Sequence, residues 1–374
     1  MATLVPTLDR TFIRPGDRVC AAVSGGAGSV ALLLLLAAEN ALPRNSLGVG
    51  LSAVHVHHDL RGEDADADLV FVEQLCLRLK VPLHLHRASV PERMAQMRDA
   101  GQPETVEEAA RNLRYEVFHR LLADSHADSI LTAHTLDDQS ETVLMKLLRG
   151  AWTEGLGGIH PVVLVSHMKH PGKILRPLLT TRRAELVAFL EARNQPWRTD
   201  ASNADESITR NRIRHSVLPV LRAENPAIDQ ALANLATLAR EDESRWQTEL
   251  GRILPLLLLP GKPVRGGGRA VATVAGEPHS VAIEIDRLRP FDPALRRRVI
   301  RAAARTLGAR LNFDETARLL ALAGFTANSD TAAPARSNAT LQLAGLLRAQ
   351  RSARELCLFR EPAKNQSPKK PAAN

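Results

Sequence analysis

The sequence predicts an α/β protein in which helices cover both faces of a parallel β-sheet, followed by a mainly helical, basic C-terminal region. Up to about residue 193, short apolar segments alternate with amphipathic segments of helical spacing, which is typical of parallel sheets. Polar motifs at residues 24–29, 57–61 and 134–141 each follow directly after a predicted strand. Because ligands bind outside the carboxyl ends of such strands, these motifs are candidate site segments.

The individual elements follow from apolar spacing and from helix-start signals. Thr-Val-Glu-Glu at residues 105–108 is a capping box that opens a helix. The uniformly apolar run at residues 30–38 follows a glycine-rich turn and is predicted to be a buried helix. Predicted strands cover residues 18–23, 51–56, 82–85, 129–133 and 173–175. Predicted helices cover residues 30–38, 64–80, 105–122, 138–148 and 182–193.

Three regions are predicted along the chain: a first domain at 1–225, a helical region at 226–360, and a disordered tail at 361–374 rich in Lys, Pro, Ala and Asn. The first domain holds 26 basic and 27 acidic residues, whereas residues 226–374 hold 23 basic and 14 acidic residues. This division favours catalysis in the first part and polyanion binding in the second. A basic, solvated surface without a partner is the alternative.

Composition excludes several classes of protein. Of 374 residues, 44% are hydrophobic and 24% are charged, which suits packed domains rather than disorder. The apolar run at 30–38 is far shorter than the roughly 20 residues that span a bilayer, and the N-terminus lacks the pattern of a secretory signal. Cys20, Cys76 and Cys357 form no CxxC pair and indicate no disulfide framework. We therefore expect a cytoplasmic protein with no membrane partner, and no particular oligomeric state is indicated.

A glycine-rich loop follows the first predicted strand and consists of Ser24, Gly25, Gly26, Ala27, Gly28 and Ser29. Its glycines allow the backbone to approach an anion, its serines add hydroxyl donors, and the next helix directs its N-terminal amides to the same place. The loop lacks the lysine of the GxxxxGK(S/T) motif, which fits binding of pyrophosphate better than binding of a γ-phosphate. An ordinary strand-to-helix turn is the alternative.

A second group of polar residues surrounds the start of the helix predicted at 138–148. Asp138 and Glu141 are three residues apart and share a helix face, with His134 and Asp137 just before them. Acidic groups at the carboxyl end of a strand attract an ammonium group. Alternatively, Asp137 and Asp138 only complement the helix dipole. His57, His58 and Asp59 lack a further ligand cluster, so they do not predict a zinc site.

Arginines form the third group of candidates. Arg210, Arg212 and Arg214 cannot all lie on one helical face, so they either flank a loop or divide between phosphate contact and a structural role. Arg111 and Arg114 are neighbours on a predicted helix and are candidates for phosphate contact, with a solvated helix face as the alternative.

Taken together, these motifs resemble those of the tRNA(Ile)-lysidine synthases, a family of N-type ATP pyrophosphatases. The matching segments are Ser24-Gly25-Gly26 with Ser29, His57-His58, Leu60-Arg61, Phe71-Val72, Leu75-Cys76, Val81-Pro82-Leu83-His84, Glu107-Glu108-Ala109, Arg111, Arg114-Tyr115, Thr132-Ala133-His134, Asp137-Asp138-Gln139, Glu141-Thr142, Arg149-Gly150, Gly155-Leu156, Gly158-Ile159, Arg176-Pro177-Leu178, Trp197, Asp200, Ser202-Asn203, Arg210-Asn211-Arg212-Ile213-Arg214 and Leu218-Pro219. The Ser-Gly-Gly loop marks only the superfamily, whereas the DDQxET and RNRIR segments in this order mark the family.

The resemblance implies an adenine nucleotide α-hydrolase-like fold and a two-step reaction. ATP, with Mg²⁺, adenylates the C2 oxygen of the wobble cytidine in tRNA(Ile) with a CAU anticodon and releases pyrophosphate. The amine of free L-lysine then displaces AMP.

The resemblance also implies roles for individual residues. His134, Asp138 and Glu141 would face lysine, and the loop Ser24–Ser29 would bind ATP. Arg210 and Arg212 would contact ATP phosphates or tRNA, as would Arg111 and Arg114, and Asp137 or Asp138 is a possible Mg²⁺ ligand. Independently of the resemblance, the positive charge of the C-terminal region, including Arg296, Arg297, Arg298 and Arg301, predicts that it binds the tRNA body through its phosphates.

The sequence departs from the family pattern at two positions in the motifs. Gly28 stands where the family has Asp, and Thr135 stands where the family has the second histidine of a pair. Three interpretations follow: a weakened or metal-rearranged synthase, an inactive relative that binds tRNA, or another N-type ATP pyrophosphatase acting on tRNA. A thiolating enzyme would need paired cysteines, and an amidating enzyme would need a glutaminase portion, which does not fit before Arg18.

Overall fold

The computed structural model describes residues 5–60, 62–165, 172–199, 209–263, 269–270, 273–274, 277–278, 280–325 and 339–360. The chain divides into two compact units, Met1–Asp242 and Glu243–Asn374. Several residues named above lie outside the described residues, namely Arg61, Asp200, Ser202, Asn203 and the predicted tail at 361–374.

A six-stranded sheet forms the centre of the described part of the first unit. Its strands are β1 (Arg18–Ala22), β2 (Gly50–His57), β3 (Leu83–Arg87), β4 (Ser129–Leu131), β5 (Val162–Val165) and β6 (Gly172–Leu175). Their spatial order is β3-β2-β1-β4-β6-β5, and every pair is parallel except β5 with β6. The predicted parallel sheet is confirmed, and the antiparallel edge strand β5 is a feature that the sequence pattern did not indicate.

Helices connect the strands or follow them in the chain, and some of them pack on the two faces of the sheet. They are α1 (Ala27–Asn40), α2 (Glu63–Leu79), α3 (Val90–Asp99), α4 (Val106–Ala123), α5 (Leu136–Leu148), α6 (Thr153–Leu156), α7 (Arg183–Glu191), α8 (Thr209–Arg212), α9 (Leu218–Glu224) and α10 (Ile228–Leu257). A π-helical turn, Ile213–Val217, joins α8 to α9. The predicted capping box is confirmed, since Thr105 and Glu108 cap each other's backbone at the start of α4.

Strand β1 shows how the two faces of the sheet are packed. Val19 and Ala21 belong to a buried cluster with apolar residues of α1, α2 and α7, whereas Cys20 belongs to a cluster with residues of α4. This alternation is the two-residue period of a strand buried on both faces. The apolar run of α1 is explained in the same way, because six of its residues from Val30 to Leu36 are buried.

The parallel direction of the strands places the candidate motifs at one edge of the sheet. Strands β1, β4 and β6 are neighbours and end at Ala22, Leu131 and Leu175. The loop that begins at Ser24 and the segment that carries His134 therefore leave the sheet side by side.

The described part of residues 226–360 is mainly helical, as predicted, and the second unit also contains a sheet that the sequence pattern did not indicate. Its helices after α10 are α11 (Ile285–Leu288), α12 (Pro293–Thr306) and α13 (Phe313–Ala323). Its strands are β7 (Leu258–Pro260), β8 (Lys262–Pro263), β9 (Arg269–Ala270), β10 (Thr273–Val274), β11 (Glu277–Pro278), β12 (Ser280–Glu284), β13 (Thr340–Gln342), β14 (Leu347–Arg351) and β15 (Glu355–Arg360). Five of them form an antiparallel sheet in the order β13-β14-β15-β12-β7.

Two arginines of α12 are not placed as the prediction of tRNA binding requires. Arg296 and Arg298 are each only 4% exposed, so they cannot bind the tRNA body, and that prediction is wrong for both. The Arg296 guanidinium lies 4.4 Å from the centre of the Phe325 ring, and its Nε donates to Leu288 O at 3.0 Å. Arg298 donates to Glu243 at 2.7 Å and stacks on Trp246. Stacking on aromatic rings stabilises these buried guanidinium groups inside the second unit.

None of the helices in the described part of the chain combines the length and the apolar character that crossing a bilayer requires.

Candidate functional site

The glycine-rich loop turns sharply between β1 and α1. Gly25 has φ of +91°, a conformation that side chains other than glycine rarely adopt. A Cβ at Gly25 would also lie 3.4 Å from Cγ of Arg198, whose backbone N–H donates to Gly25 O at 2.9 Å. Gly25 is therefore required by both the turn and its close neighbour.

The two serines of the loop hold its shape. Ser29 Oγ accepts from the backbone N–H of Ser24 at 3.1 Å and donates to Gly26 O at 2.9 Å. The Ser24 hydroxyl lies 3.2 Å from the same Ser29 oxygen. Gly26 is the N-cap residue of α1 and has no side chain that could cap the helix, and the first turn of α1 contains no acidic residue. The amides and the positive end of α1 are therefore suited to an anion.

The loop lies against the segment that carries His134. A Cβ placed on Gly28 would lie 3.4 Å from Ala133 O and 3.6 Å from Ala133 Cβ, both ordinary contact distances. Position 28 can thus accept a side chain, and one placed there would lie between the anion-binding loop and the second group of predicted residues.

Asp138 is held by the start of its own helix and by an arginine. Its Oδ2 accepts from Thr135 N at 2.9 Å and from Thr135 Oγ1 at 2.8 Å, which completes a capping box. Its Oδ1 accepts from Arg183 Nη2 at 2.9 Å. Burial alone would raise the pKa of Asp138, but Arg183 and the Thr135 N–H outweigh burial and hold the pKa below its usual value. Thr135, one of the two departures, thus caps α5.

Glu141 is completely buried between two arginines. Its side chain is 0% exposed, and Oε2 accepts from Arg210 Nε at 2.8 Å. Arg214 binds both oxygens, with Nε 2.7 Å from Oε1 and Nη2 3.1 Å from Oε2. Such a triad stabilises a carboxylate in the interior, but it also occupies the oxygens that were predicted to face lysine.

Asp137 joins α5 to two other helices. Its Oδ2 accepts from the backbone N–H of Arg183 at 2.8 Å, and its Oδ1 accepts from Arg222 Nη2 at 2.8 Å. Arg222 in turn pairs with the buried Asp229. Asp137 therefore has a structural role.

The carboxylates of Asp137 and Asp138 do not fit a Mg²⁺ site. All four oxygens accept hydrogen bonds from protein groups, as described above. Among the described residues, no group of three or more His, Cys, Asp or Glu side chains could hold a metal ion. We therefore assign no resident metal to these side chains.

His134 lies among arginines. Its Nδ1 is 2.9 Å from Thr132 Oγ1. Burial lowers the pKa of His134 to about 4. The positive charges of Arg176, Arg210 and Arg111 also lower this pKa, whereas the negative charge of Asp138 raises it. His134 is therefore neutral at pH 7 and adds no positive charge beside an incoming ammonium group.

The remaining predicted arginines differ in their surroundings. Arg111 stacks on Tyr115, with its guanidinium 4.7 Å from the ring centre, and lies close enough to His134 to affect its pKa. Arg114 and Arg212 are exposed, and Arg212 contacts Thr209 Oγ1 at 3.2 Å. Arg210 and Arg214 both contact Glu141, so these two arginines lie on the same side of their segment.

Two arginines of the site were missed as candidate site residues: Arg176 and Arg183. Arg176 is 5% exposed and follows β6 at the carboxyl edge of the sheet, and it donates to Tyr115 Oη at 3.0 Å. Its place after a predicted strand could have indicated it. No local signal indicates Arg183. Arg214 was a candidate with its role left open, and it binds Glu141 together with Arg210.

Comparison with known proteins gives the family. The PP-loop domain model (ATP_bind_3) matches residues 4–221. A tRNA(Ile)-lysidine synthase from Solibacter usitatus is 38% identical over 289 residues, which are 77% of this chain and 56% of that protein. Another, from Nitratidesulfovibrio vulgaris, is 37% identical over 286 residues, which are 74% of this chain and 78% of that protein. The chain spans about half the length of the first curated relatives, with shares of 56%, 38% and 58%.

Among solved structures, the U34-tRNA thiolase NcsA from Methanococcus maripaludis with its 4Fe-4S cluster matches with a TM-score of 0.51. The match has 15% identity and covers 63% of this chain and 76% of that chain, so it concerns the fold alone. The PP-loop domain implies use of ATP. With the relatives above, the motifs at the carboxyl edge of the sheet lead to one conclusion: the chain belongs to the tRNA(Ile)-lysidine synthase family of PP-loop ATP pyrophosphatases.

Proposed function

We propose that this chain ligates lysine to C2 of the wobble cytidine of tRNA(Ile) with a CAU anticodon, through an adenylated intermediate. Its substrates are ATP as the Mg²⁺ complex, free L-lysine and the tRNA, and its location is cytoplasmic. The observation that carries the proposal is the contact between the PP-loop and the segment before α5, where Gly28 lies against Ala133. This contact supports the proposal because Ala133 directly precedes His134 and the helix α5, which carries Asp138 and Glu141.

In the first step, the C2 oxygen of the cytidine attacks the α-phosphorus of ATP. The bond from the α-phosphorus to the bridging oxygen breaks, and pyrophosphate leaves. Backbone amides at the start of α1 bind the negative charge that develops on the leaving group, because these donors are fixed before the reaction begins.

In the second step, the lysine ε-amine attacks C2. A C–N bond forms, the C2–O bond to the AMP phosphate breaks, and the ammonium group must first lose a proton. Asp138 and Glu141 are the carboxylates proposed to attract that ammonium group, and neutral His134 does not repel it.

The charge balance of the site also supports the proposal. Asp138 and Glu141 are paired with Arg183, Arg210 and Arg214. The positive charges exceed the negative ones, which suits a bound triphosphate. Once phosphates compete for the arginines, the carboxylates become available to the lysine ammonium group.

The test is pyrophosphate release by the purified full chain. We expect continued, multiple-turnover release from ATP only when L-lysine and tRNA(Ile) with a CAU anticodon are both present, because without lysine the reaction stops at the adenylated tRNA after one pyrophosphate. Controls replace the tRNA by one with another anticodon, or lysine by norleucine, which lacks the ε-amine, and neither should support multiple-turnover release. Release that is indifferent to lysine would contradict the assigned reaction and favour another ATP pyrophosphatase of this fold.

A second candidate function is tRNA binding without catalysis, which the absence of a carboxylate at Gly28 favours. It predicts salt-sensitive tRNA binding that ATP and lysine do not change. Titration of tRNA with and without both ligands distinguishes the two functions, since a synthase should bind its tRNA in a manner that depends on them.

A further inference from the structure

The two arginines that flank Glu141 are not equivalent. Arg214 binds both carboxylate oxygens, at 2.7 and 3.1 Å, and its side chain is 19% exposed. Arg210 contacts a single oxygen, at 2.8 Å, with a weaker contact to Thr142 Oγ1 at 3.3 Å, and it is 29% exposed. A two-point pair fixes both the position and the orientation of a carboxylate, whereas a one-point pair fixes only its distance.

Arg214 also lies next to the second carboxylate of the site. Its Nη2 is 4.0 Å from Asp138 Oδ1, so one guanidinium lies close to both residues assigned to the lysine ammonium group. Among the described residues, no other arginine forms ion pairs with both Asp138 and Glu141.

The backbone at Arg214 is unusual. Arg214 lies in the π-helical turn Ile213–Val217, between α8 and α9. Single π-turns frequently occur at functional sites, because the wider turn changes the direction of a side chain without ending the helix. This turn presents Arg214 to the same carboxylate that Arg210, four residues earlier, contacts from α8.

We propose that Arg214 is a positioning residue that fixes Glu141 beside Asp138, and that Arg210 is the arginine which leaves Glu141 for a phosphate of the nucleotide. The inference rests on the proposed function and extends it, because it assigns the two arginines to different substrates. When Arg210 moves to a phosphate, Glu141 keeps one partner and gains a free lone pair for the ammonium group. Arg214 serves lysine binding, and Arg210 serves nucleotide binding.

The test compares Arg214→Gln with Arg210→Gln in the full chain. Loss of a charge-assisted hydrogen bond predicts an increase in the KM for lysine of about 10- to 100-fold in Arg214→Gln, with the KM for ATP nearly unchanged. Arg210→Gln should instead raise the KM for ATP. Arg214→Lys restores charge and a single contact, so it should recover part of the lysine affinity.

Arg44→Ala is the matched control, because Arg44 is exposed in the loop between α1 and β2, at the opposite edge of the sheet. It should leave both KM values unchanged. Thermal melting of each variant separates loss of folding from loss of positioning. If Arg214→Gln is unstable, Arg214→Lys is used instead. Its affinity for lysine is then measured by calorimetric titration in the presence of a non-hydrolysable ATP analogue.

Three results would overturn the inference. The lysine KM could be unchanged in a folded Arg214→Gln, or the two variants could change both KM values equally. The third is that Arg214→Gln lowers only kcat and the melting temperature. Wild-type protein without turnover would contradict the proposed function instead. In that case lysine titration with the ATP analogue still decides the inference: weaker binding by Arg214→Lys than by wild type supports it, and equal binding or no binding by either overturns it.

Discussion

Replacing Gly28 by aspartate is expected to raise the rate of lysine- and tRNA-dependent pyrophosphate release by about 10²- to 10³-fold, the usual effect of one transition-state ligand. The site has room for the change, because a Cβ at position 28 meets Ala133 O and Ala133 Cβ at 3.4 and 3.6 Å. The backbone there lies outside the left-handed region, unlike that of Gly25. The new carboxylate would lie beside the bound polyphosphate, where it can bind the Mg²⁺ that accompanies ATP.

Gly28→Asn is the matched control, since asparagine has nearly the same size and carries no charge. We expect Gly28→Asn to stay at the wild-type rate. If Gly28→Asp also leaves turnover unchanged, Gly28 does not weaken the enzyme, and the roles assigned to the loop are wrong.

Replacing Glu141 by glutamine is expected to lower the free energy of unfolding by about 3–5 kcal/mol, the usual effect of removing one partner from a buried ion pair. The reason is that Arg210 and Arg214 would lose the carboxylate that neutralises them, at a residue that is 0% exposed. Lysine-dependent turnover should fall by about 10²-fold for the variant that remains folded. Urea unfolding followed by circular dichroism measures the first effect.

Glu191→Gln serves as the control for that measurement, because Glu191 is an exposed residue at the end of α7. Its unfolding free energy should stay within about 0.5 kcal/mol of the wild type. Equal stabilities of the two variants would show that Glu141 is not held in a buried triad in solution.

Local sequence signals were sufficient for the first part of the fold. The turn at Ser24–Ser29 and the apolar run after it define a strand–loop–helix unit, and the capping box at Thr105 marks a helix start. These signals depend on residues a few positions apart, so a single sequence contains them. The edge strand β5 was missed because it has only four residues, three of them not fully buried.

The second unit was harder to predict for a physical reason. Its strands are two to six residues long, and the segment from Leu258 to Pro278 is interrupted by proline and glycine, so its pattern did not indicate strands. Charge alone predicts that the arginines of α12 bind the tRNA body, yet Arg296 and Arg298 are buried against Phe325 and Trp246. Their aromatic partners come from other elements, which charge counting does not show.

The sequence predicted only part of the site, because the partners of its residues also come from distant parts of the chain. The spacing of Asp138 and Glu141 indicated a shared helix face, but their partners Arg183, Arg210 and Arg214 lie 45 to 73 residues later in the sequence. Tertiary pairing therefore determines whether these carboxylates are free or bound, and sequence spacing alone does not.

The most direct test of lysine ligation follows labelled lysine into the tRNA. The full chain is incubated with ATP, isotopically labelled L-lysine and tRNA(Ile) with a CAU anticodon, and the tRNA is then digested to nucleosides and separated. The account predicts label in one modified cytidine from the anticodon, and only when ATP is present. Unlabelled tRNA after incubation with folded, tRNA-binding protein would contradict it.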